Sequence, residues 1–192
     1  MSNIVFPSEW HHQFQTILID PPWLFQNYSG KSAPEHKRLH RYYTLTLQEI
    51  FAIPVASLTQ DTAHLYLWTP AAMIREALRA MKRWGFTYKT MLVWHKIRKD
   101  GGSDGRGLGF YFRLVTEFIL FGVKGKMRTL QPGRRQVNLF ASQKREHSRK
   151  PDELYSIIEA CSSGPFIELF ARKRRQGWTS FGDQLPPLHE KA

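Results

Sequence analysis

Two periods of apolar and polar positions alternate along this chain. Short blocks rich in β-branched and aromatic residues occur at 16–20, 63–68, 87–96, 114–123 and 165–171, and they read as strands. Between them the period is helical. Over 70–84, Met73, Ile74, Ala77, Leu78, Met81 and Trp84 share one face, Thr69 suits the cap, Pro70 the first helical position and Gly85 the exit. Behind Pro151, Leu154, Ile157, Ile158 and Cys161 form a second stripe over 151–162, with Gly164 just beyond. Segment 46–58 predicts a short helix broken at Pro54. Strands alternating with helices predict an α/β fold, a mixed, mostly parallel sheet with helices on both faces. No helix separates 87–96 from 114–123, so that pair is expected to be antiparallel.

Two long connections remain, 24–45 and 97–113. Loops of this length in one domain are usually functional or disordered. The second carries Gly101, Gly102, Gly105, Gly107 and Gly109 and reads as a flexible flap. It lacks the Gly-Lys-Ser/Thr of a phosphate loop and does not sit at a strand-to-helix turn, so it is not read as a nucleotide fingerprint.

Composition narrows the class. A chain of 192 residues, 42% hydrophobic, is long and apolar enough for a single globular domain over 1–192 with one sizeable core. No apolar run reaches the length of a membrane span, and Met1 to Trp10 lacks the form of a leader, so a cytoplasmic protein is expected. Cys161 is the lone cysteine, which excludes a disulfide framework and a thiolate zinc site. His11 and His12 have no partner at ligand spacing, and His64 and His95 fall inside strands, so no metal site is expected.

Charge changes the picture more. The net charge of +12 points to a polyanionic partner, most simply nucleic acid. Nine basic residues against the single acid Glu146 fall between Lys124 and Lys150, and Arg172-Lys173-Arg174-Arg175 makes a second cluster. Candidate phosphate contacts are Lys126, Arg128, Arg134, Arg135, Lys144 and Arg145, with Arg106 on the flap.

The most specific chemistry lies at the end of the first strand. Ile17, Leu18 and Ile19 lead into Asp20, after which Pro21 and Pro22 cannot continue a ladder because neither has an N–H. The chain leaves the sheet directly after a carboxylate, whose backbone the following proline holds extended. Carbonyls at 20–22 are left free to accept hydrogen bonds, and Trp23 adds a flat ring. This set suits a planar group bearing an NH2, as in adenine or cytosine. Asp-Pro-Pro alone also marks a plain strand-to-turn exit.

The strand with Asp20-Pro21-Pro22-Trp23 resembles the signature of the S-adenosylmethionine-dependent adenine-N6 methyltransferases, the family of the eukaryotic mRNA adenosine methyltransferase catalytic subunit and of bacterial and phage DNA enzymes. Further blocks match in order: Tyr42 to Ile50, Leu65-Tyr66-Leu67-Trp68-Thr69, Ser148 to Tyr155, Ile167 to Arg172, and Trp178 to Gln184. The likeness spans about 16–185. It implies a Rossmann-like sheet of permuted motif order, with the catalytic strand first and the cofactor-binding strand late, near Glu168.

The resemblance also implies roles. Asp20 with the backbone of Pro21 and Pro22 would hold the target amine, and Asp20 also borders the cofactor. Trp23 would line the base pocket, with Tyr42 near it. Lys150 would reach the carboxylate of S-adenosylmethionine. Glu168 and Arg172 would lie around its ribose and nearby groups, Gln184 near its adenosine end, and Asp183 would be a further cofactor contact. Asp183 stands where the eukaryotic enzyme has asparagine, and Arg174, Arg175 and Gln176 replace a His-Asn pair. The implied reaction is methyl transfer to N6 of adenine in DNA, with RNA, or a non-catalytic nucleic-acid-binding subunit, as alternatives. Relatives of this kind work as homodimers or heterodimers.

Overall fold

The computed structural model describes residues 4–24, 44–105, 111–143 and 150–187. Its frame is one seven-stranded sheet in the order β5-β3-β4-β2-β1-β6-β7. The strands are β1 (Phe14–Ile19), β2 (Thr59–Thr69), β3 (Thr87–Ile97), β4 (Thr116–Lys124), β5 (Leu139–Gln143), β6 (Phe166–Leu169) and β7 (Trp178–Phe181). β1 pairs in parallel with β2 and β6, β6 with β7, and β3 with β5. β4 alone runs against its neighbours, antiparallel to both β2 and β3. The expected mixed, mostly parallel sheet and the antiparallel 87–96/114–123 pair are thus present.

Strand alternation feeds two cores. Ile17, Ile19, Leu65, Leu67, Leu120 and Ile167 face one side, against α1 (Leu47–Ala52), α2 (Val55–Leu58) and α3 (Ile74–Arg83). Leu18, Tyr66, Trp68, Ile119 and Phe121 face the other, against Leu154 and Ile158 of α4 (Glu153–Cys161). Burying both faces explains why β1 ends in the unbroken apolar run Ile17-Leu18-Ile19.

Local signals set the helix ends. Thr46 and Glu49 form a reciprocal capping box at the start of α1. The 46–58 helix divides around Ile53 and Pro54, as expected from the proline. The start of 70–84 differs from expectation. Pro70 is extended, Ala71–Met73 make a 3-10 turn, and α3 begins at Ile74. Thr69 does not cap it, because its hydroxyl donates to Leu67 O instead. Gly85 does close that end, with φ of +83°.

Because β4 alone is reversed, the carboxyl ends of β1, β2, β3, β5, β6 and β7 and the amino end of β4 share one edge. β1 lies where the parallel connections diverge, to β2 on one side and β6 on the other. Ligands of open α/β sheets bind outside the carboxyl ends at such a switch point. Trp23 and Leu45 meet at this edge: Trp23 bridges Leu45, and Leu45 N donates to Pro22 O at 3.0 Å. The first described part of the expected flap, 97–105, is a hydrogen-bonded turn. Ile97 bridges Ser103, Arg98 N donates to Gly102 O, and the Arg98 guanidinium grips Asp100.

Candidate active site

Asp20 stands just past β1, with its backbone N–H directed at Leu169 O, 3.5 Å away at the end of β6. Its carboxylate meets the ammonium of Lys150, Nζ to Oδ2 3.3 Å, and its side chain keeps 26% of its exposure. It is therefore reachable, not sealed inside. Burial raises the Asp20 carboxyl above the ordinary aspartate range. Lys150 opposes that rise, Glu117 adds to it, and Arg172 opposes it.

Lys150 enters just ahead of α4 and is shared. Its Nζ also lies 3.0 Å from Glu117 Oε2 and 4.2 Å from the centre of the Trp68 ring. Glu117, near the head of β4, turns its other oxygen to Lys96 of β3, Oε1 to Nζ 2.6 Å. Lys96 in turn lies 5.3 Å above the Trp94 ring, and Trp94 meets Trp68 edge-on. Burial alone would raise Glu117, but the two ammonium groups outweigh it and hold the carboxyl at about 2. The result is a row of alternating charge across the edge, Asp20, Lys150, Glu117 and Lys96.

Glu168 lies beside this row on β6, level with Leu18 in the register. It is buried, and the Tyr155 hydroxyl of α4 lies 2.9 Å from both its oxygens. Burial pushes its carboxyl up to about 7, against the lowering by the Tyr155 hydrogen bond, and the charge of Asp20 adds to the rise. Ala171 N donates to Phe181 O at 2.9 Å, tying the exit of β6 to the end of β7. Arg172, Asp183 and Gln184 follow these two strand ends. Phe170, between Glu168 and Arg172, takes φ of +62°, a strained backbone for a bulky residue, at the point where the chain turns around the site.

Two sequence expectations change. The carbonyls after β1 are not free: Pro21 O accepts from Trp23 N at 2.8 Å and Pro22 O from Leu45 N. Each keeps a second lone pair for a further donor. Trp23 is not an open plate. It is buried in the core on the α1–α3 side, and its indole Nε1 donates to Trp68 O at 3.1 Å. It anchors the backbone of the residue whose ring carries Lys150.

The candidate phosphate contacts are not gathered at this edge. Lys124, at the far end of β4, pairs with Ala63 of β2, so Lys126 and Arg128 follow at the opposite, amino-terminal edge. Arg134 and Arg135 lie in a 3-10 turn against the end of α4, where Gly133 packs on Cys161. Glu117 and Lys124 are seven residues apart on one strand, roughly 23 Å. Arg174 and Arg175 line a cleft with Phe166 and Trp178, at the amino ends of β6 and β7, and Arg175 is forked onto Glu159. Tyr42, Arg106, Lys144 and Arg145 lie outside the described residues.

Sequence reasoning missed Glu117, Lys96, Trp68 and Tyr155. One signal was present. Glu117 is an isolated acid at the head of an apolar strand, and such a charge requires a partner when buried. Among the described residues, no three His, Cys, Asp or Glu side chains come together to hold a metal ion, and no helix is long and apolar enough to cross a membrane.

The family model MT-A70 matches residues 14–184. The chain belongs to the MT-A70 family. The type II methyltransferase M.MunI of Mycoplasma sp is 30% identical over 204 residues, covering 95% of this chain and 82% of that protein. The N(6)-adenosine-methyltransferase catalytic subunit METTL3 of Homo sapiens is 29% identical over 181 residues, 92% of this chain and 29% of that protein. A putative N(6)-adenosine-methyltransferase MT-A70-like protein of Medicago truncatula is 30% identical, with 90% and 26% covered. The chain thus spans a quarter to a third of these adenosine methyltransferases and most of M.MunI. As an MT-A70 chain it is a methyltransferase, with the Rossmann-like sheet expected from its sequence and the family signature at the end of β1.

Proposed function

We propose that this chain transfers a methyl group from S-adenosylmethionine to the exocyclic N6 amine of adenine in DNA. The observation that carries the reading is the partly exposed Asp20 carboxylate at the switch point, held by Lys150 and flanked by the buried carboxyl of Glu168. The donor set suits the cofactor. It offers an ammonium for a carboxylate at Lys150, carboxyl groups for cationic or hydroxyl groups at Asp20 and Glu168, and polar side chains at Asp183 and Gln184 beside the end of β7. When bound, S-adenosylmethionine supplies a sulfonium methyl group as the electrophile.

The chain's own part is placement. An adenine amine is a weak nucleophile because its lone pair is delocalised into the ring. Asp20 accepting one N–H, and the remaining lone pair of the Pro21 carbonyl accepting the other, favour a pyramidal nitrogen with its lone pair directed away from both. A carboxyl raised by burial is the stronger acceptor for that N–H, and Lys150 keeps it ionised. Fixed charges in a partly dehydrated edge stabilise developing charge without reorganising water, and positioning supplies much of the remaining barrier reduction. A base in a duplex must leave its stack to reach the edge, at a cost of a few kcal/mol.

DNA is favoured because M.MunI, a type II methyltransferase by name, aligns over most of its length. The second reading, RNA adenosine, rests on the METTL3 likeness. Incubation with methyl-labelled S-adenosylmethionine and matched DNA and RNA oligonucleotides, followed by nucleoside digestion, separates them. N6-methyldeoxyadenosine is the expected product. N6-methyladenosine alone would transfer the assignment to RNA, and no transfer to either would overturn it.

A further inference from the structure

Methyl transfer as derived above uses Asp20 and Lys150 and leaves Glu117 and Lys96 without a task. Yet their arrangement is specific. Glu117 gives one oxygen to each of two lysines, Oε1 to Lys96 and Oε2 to Lys150, and both lysines rest over tryptophan rings. All four charged side chains of the row are less than a third exposed. Apolar groups of the same volume would fill such a place without the desolvation cost of ions.

We propose that Glu117 is a positioning residue for the transfer, setting how firmly Lys150 holds Asp20, with Lys96 tuning Glu117 from behind. The inference rests on the reading of Asp20 as the group that binds the amine. Lys150 lies between two carboxylates, nearer to Glu117 at 3.0 Å than to Asp20 at 3.3 Å. A carboxylate wholly engaged by an ammonium group is a poor acceptor for a neutral amine. Glu117 draws part of Lys150's charge away, leaving Asp20 ionised but not locked. Lys96 has the opposite effect, since it neutralises Glu117 and returns Lys150 to Asp20. The other groups that face Asp20 are Glu168 on β6, with Tyr155 of α4 behind it, and Arg172 after β6, and all three are unchanged in the variants below.

This predicts opposite shifts from two neighbouring substitutions. In Glu117→Gln the repulsion on Asp20 is lost and Lys150 turns to it. The acidic limb of the rate profile moves to lower pH, by roughly one unit, and kcat falls about tenfold or more. In Lys96→Gln, Glu117 takes more of Lys150, and the acidic limb moves to higher pH. The double variant lies between the two, a non-additivity expected of groups in one network.

The test is kcat and kcat/KM between pH 5 and 9 for the full chain and its variants, with S-adenosylmethionine and an adenine-containing oligonucleotide. In parallel, a carboxyl-carbon NMR titration reads the Asp20 midpoint without turnover, assigned by Asp20→Asn. Opposite movement in the two single variants supports the proposal. Limbs and midpoints that stay fixed, or that move the same way in both, would overturn it and leave Glu117 a structural ion pair. If Glu117→Gln fails to fold, the upward shift in Lys96→Gln still decides. A wild-type chain inactive on every nucleic acid would sink the methyl-transfer reading, whereas an active chain with unmoved profiles would sink only this inference.

Discussion

The Tyr155 hydroxyl lies 2.9 Å from both carboxyl oxygens of Glu168, a part-buried contact between α4 and β6, one strand from Asp20. A hydroxyl shared by two oxygens satisfies them only in part, so burial prevails and the carboxyl holds its proton up to about pH 7. An unfolded glutamate releases its proton near 4.5.

The sign of the pH effect follows. Between about 4.5 and about 7 the folded chain binds more protons at Glu168 than the unfolded chain does, so stability falls as pH rises through that window and is level above it. The loss is up to roughly 3 kcal/mol. Glu168→Gln, which cannot ionise, should lose less stability than wild type between pH 5 and pH 8 in thermal melts. Equal losses would contradict the assignment. Glu117, held at about 2, acts in the other window. Its contribution is present above 4.5 and lost as pH falls toward 2.

Trp23 separates a core role from a stacking role. Its indole donates to Trp68 O, and the Trp68 ring carries Lys150. Trp23→Phe keeps a flat ring but drops the donor to the Trp68 carbonyl. Losing that hydrogen bond should cost about 0.5–1.5 kcal/mol in denaturant melts and slow transfer. Full stability with full activity would mean that the ring serves only as a plate.

A buried polar hub offers a test remote from the site. Ser162 Oγ lies 2.7 Å from both His64 Nδ1 and Tyr66 Oη. Burial pushes His64 down to about 4, so the imidazole is neutral at pH 7, and it raises the Tyr66 phenol. Ser162→Ala removes the partner of both rings and should cost roughly 2–4 kcal/mol, measured by urea unfolding. A loss below 0.5 kcal/mol would contradict the hub.

Two glycines differ in what surrounds them. A Cβ on Gly182 would overlap the Ala171 carbonyl oxygen, which is backbone and fixed by the β6–β7 tie. A Cβ on Gly122 would overlap the terminal methyl of Met81, the far end of a flexible side chain, and would lie 3.3 Å from Phe86 Cβ, with no backbone atom in overlap. Gly182→Ala should therefore destabilise by about 1–3 kcal/mol more than Gly122→Ala and weaken cofactor binding, checked by paired melts and calorimetry. Equal costs would show that the β6–β7 exit is not tightly packed.

Much of this was legible in the chain. The apolar run ending at Asp20-Pro21-Pro22 located the first strand and its exit, because proline cannot extend a ladder. The helix stripes gave α3 and α4, and the missing helix between β3 and β4 gave the reversed strand. β5 was not legible, since Leu139–Gln143 is a short edge strand with three of its five residues exposed and no clean period. Trp23 was misread as an open plate, because whether a ring faces the core or a ligand depends on the backbone turn after two prolines. The row through Glu117 and Lys96 escaped for a related reason. Its members come from β1, β3, β4 and the segment before α4, and only strand order makes them neighbours. Basic clusters were visible as clusters, but strand direction sends Lys126 and Arg128 to the far edge.

The central claim is that Asp20 holds the amine that receives the methyl group. Single-turnover transfer to an adenine-containing oligonucleotide, comparing wild type with Asp20→Asn at saturating S-adenosylmethionine, tests it most directly. The amide keeps the shape and one acceptor but loses the charge. The account predicts a fall of roughly a thousandfold or more in the transfer step, with cofactor binding still measurable by calorimetry and the melting profile near that of wild type. Transfer within a few-fold of wild type would contradict it.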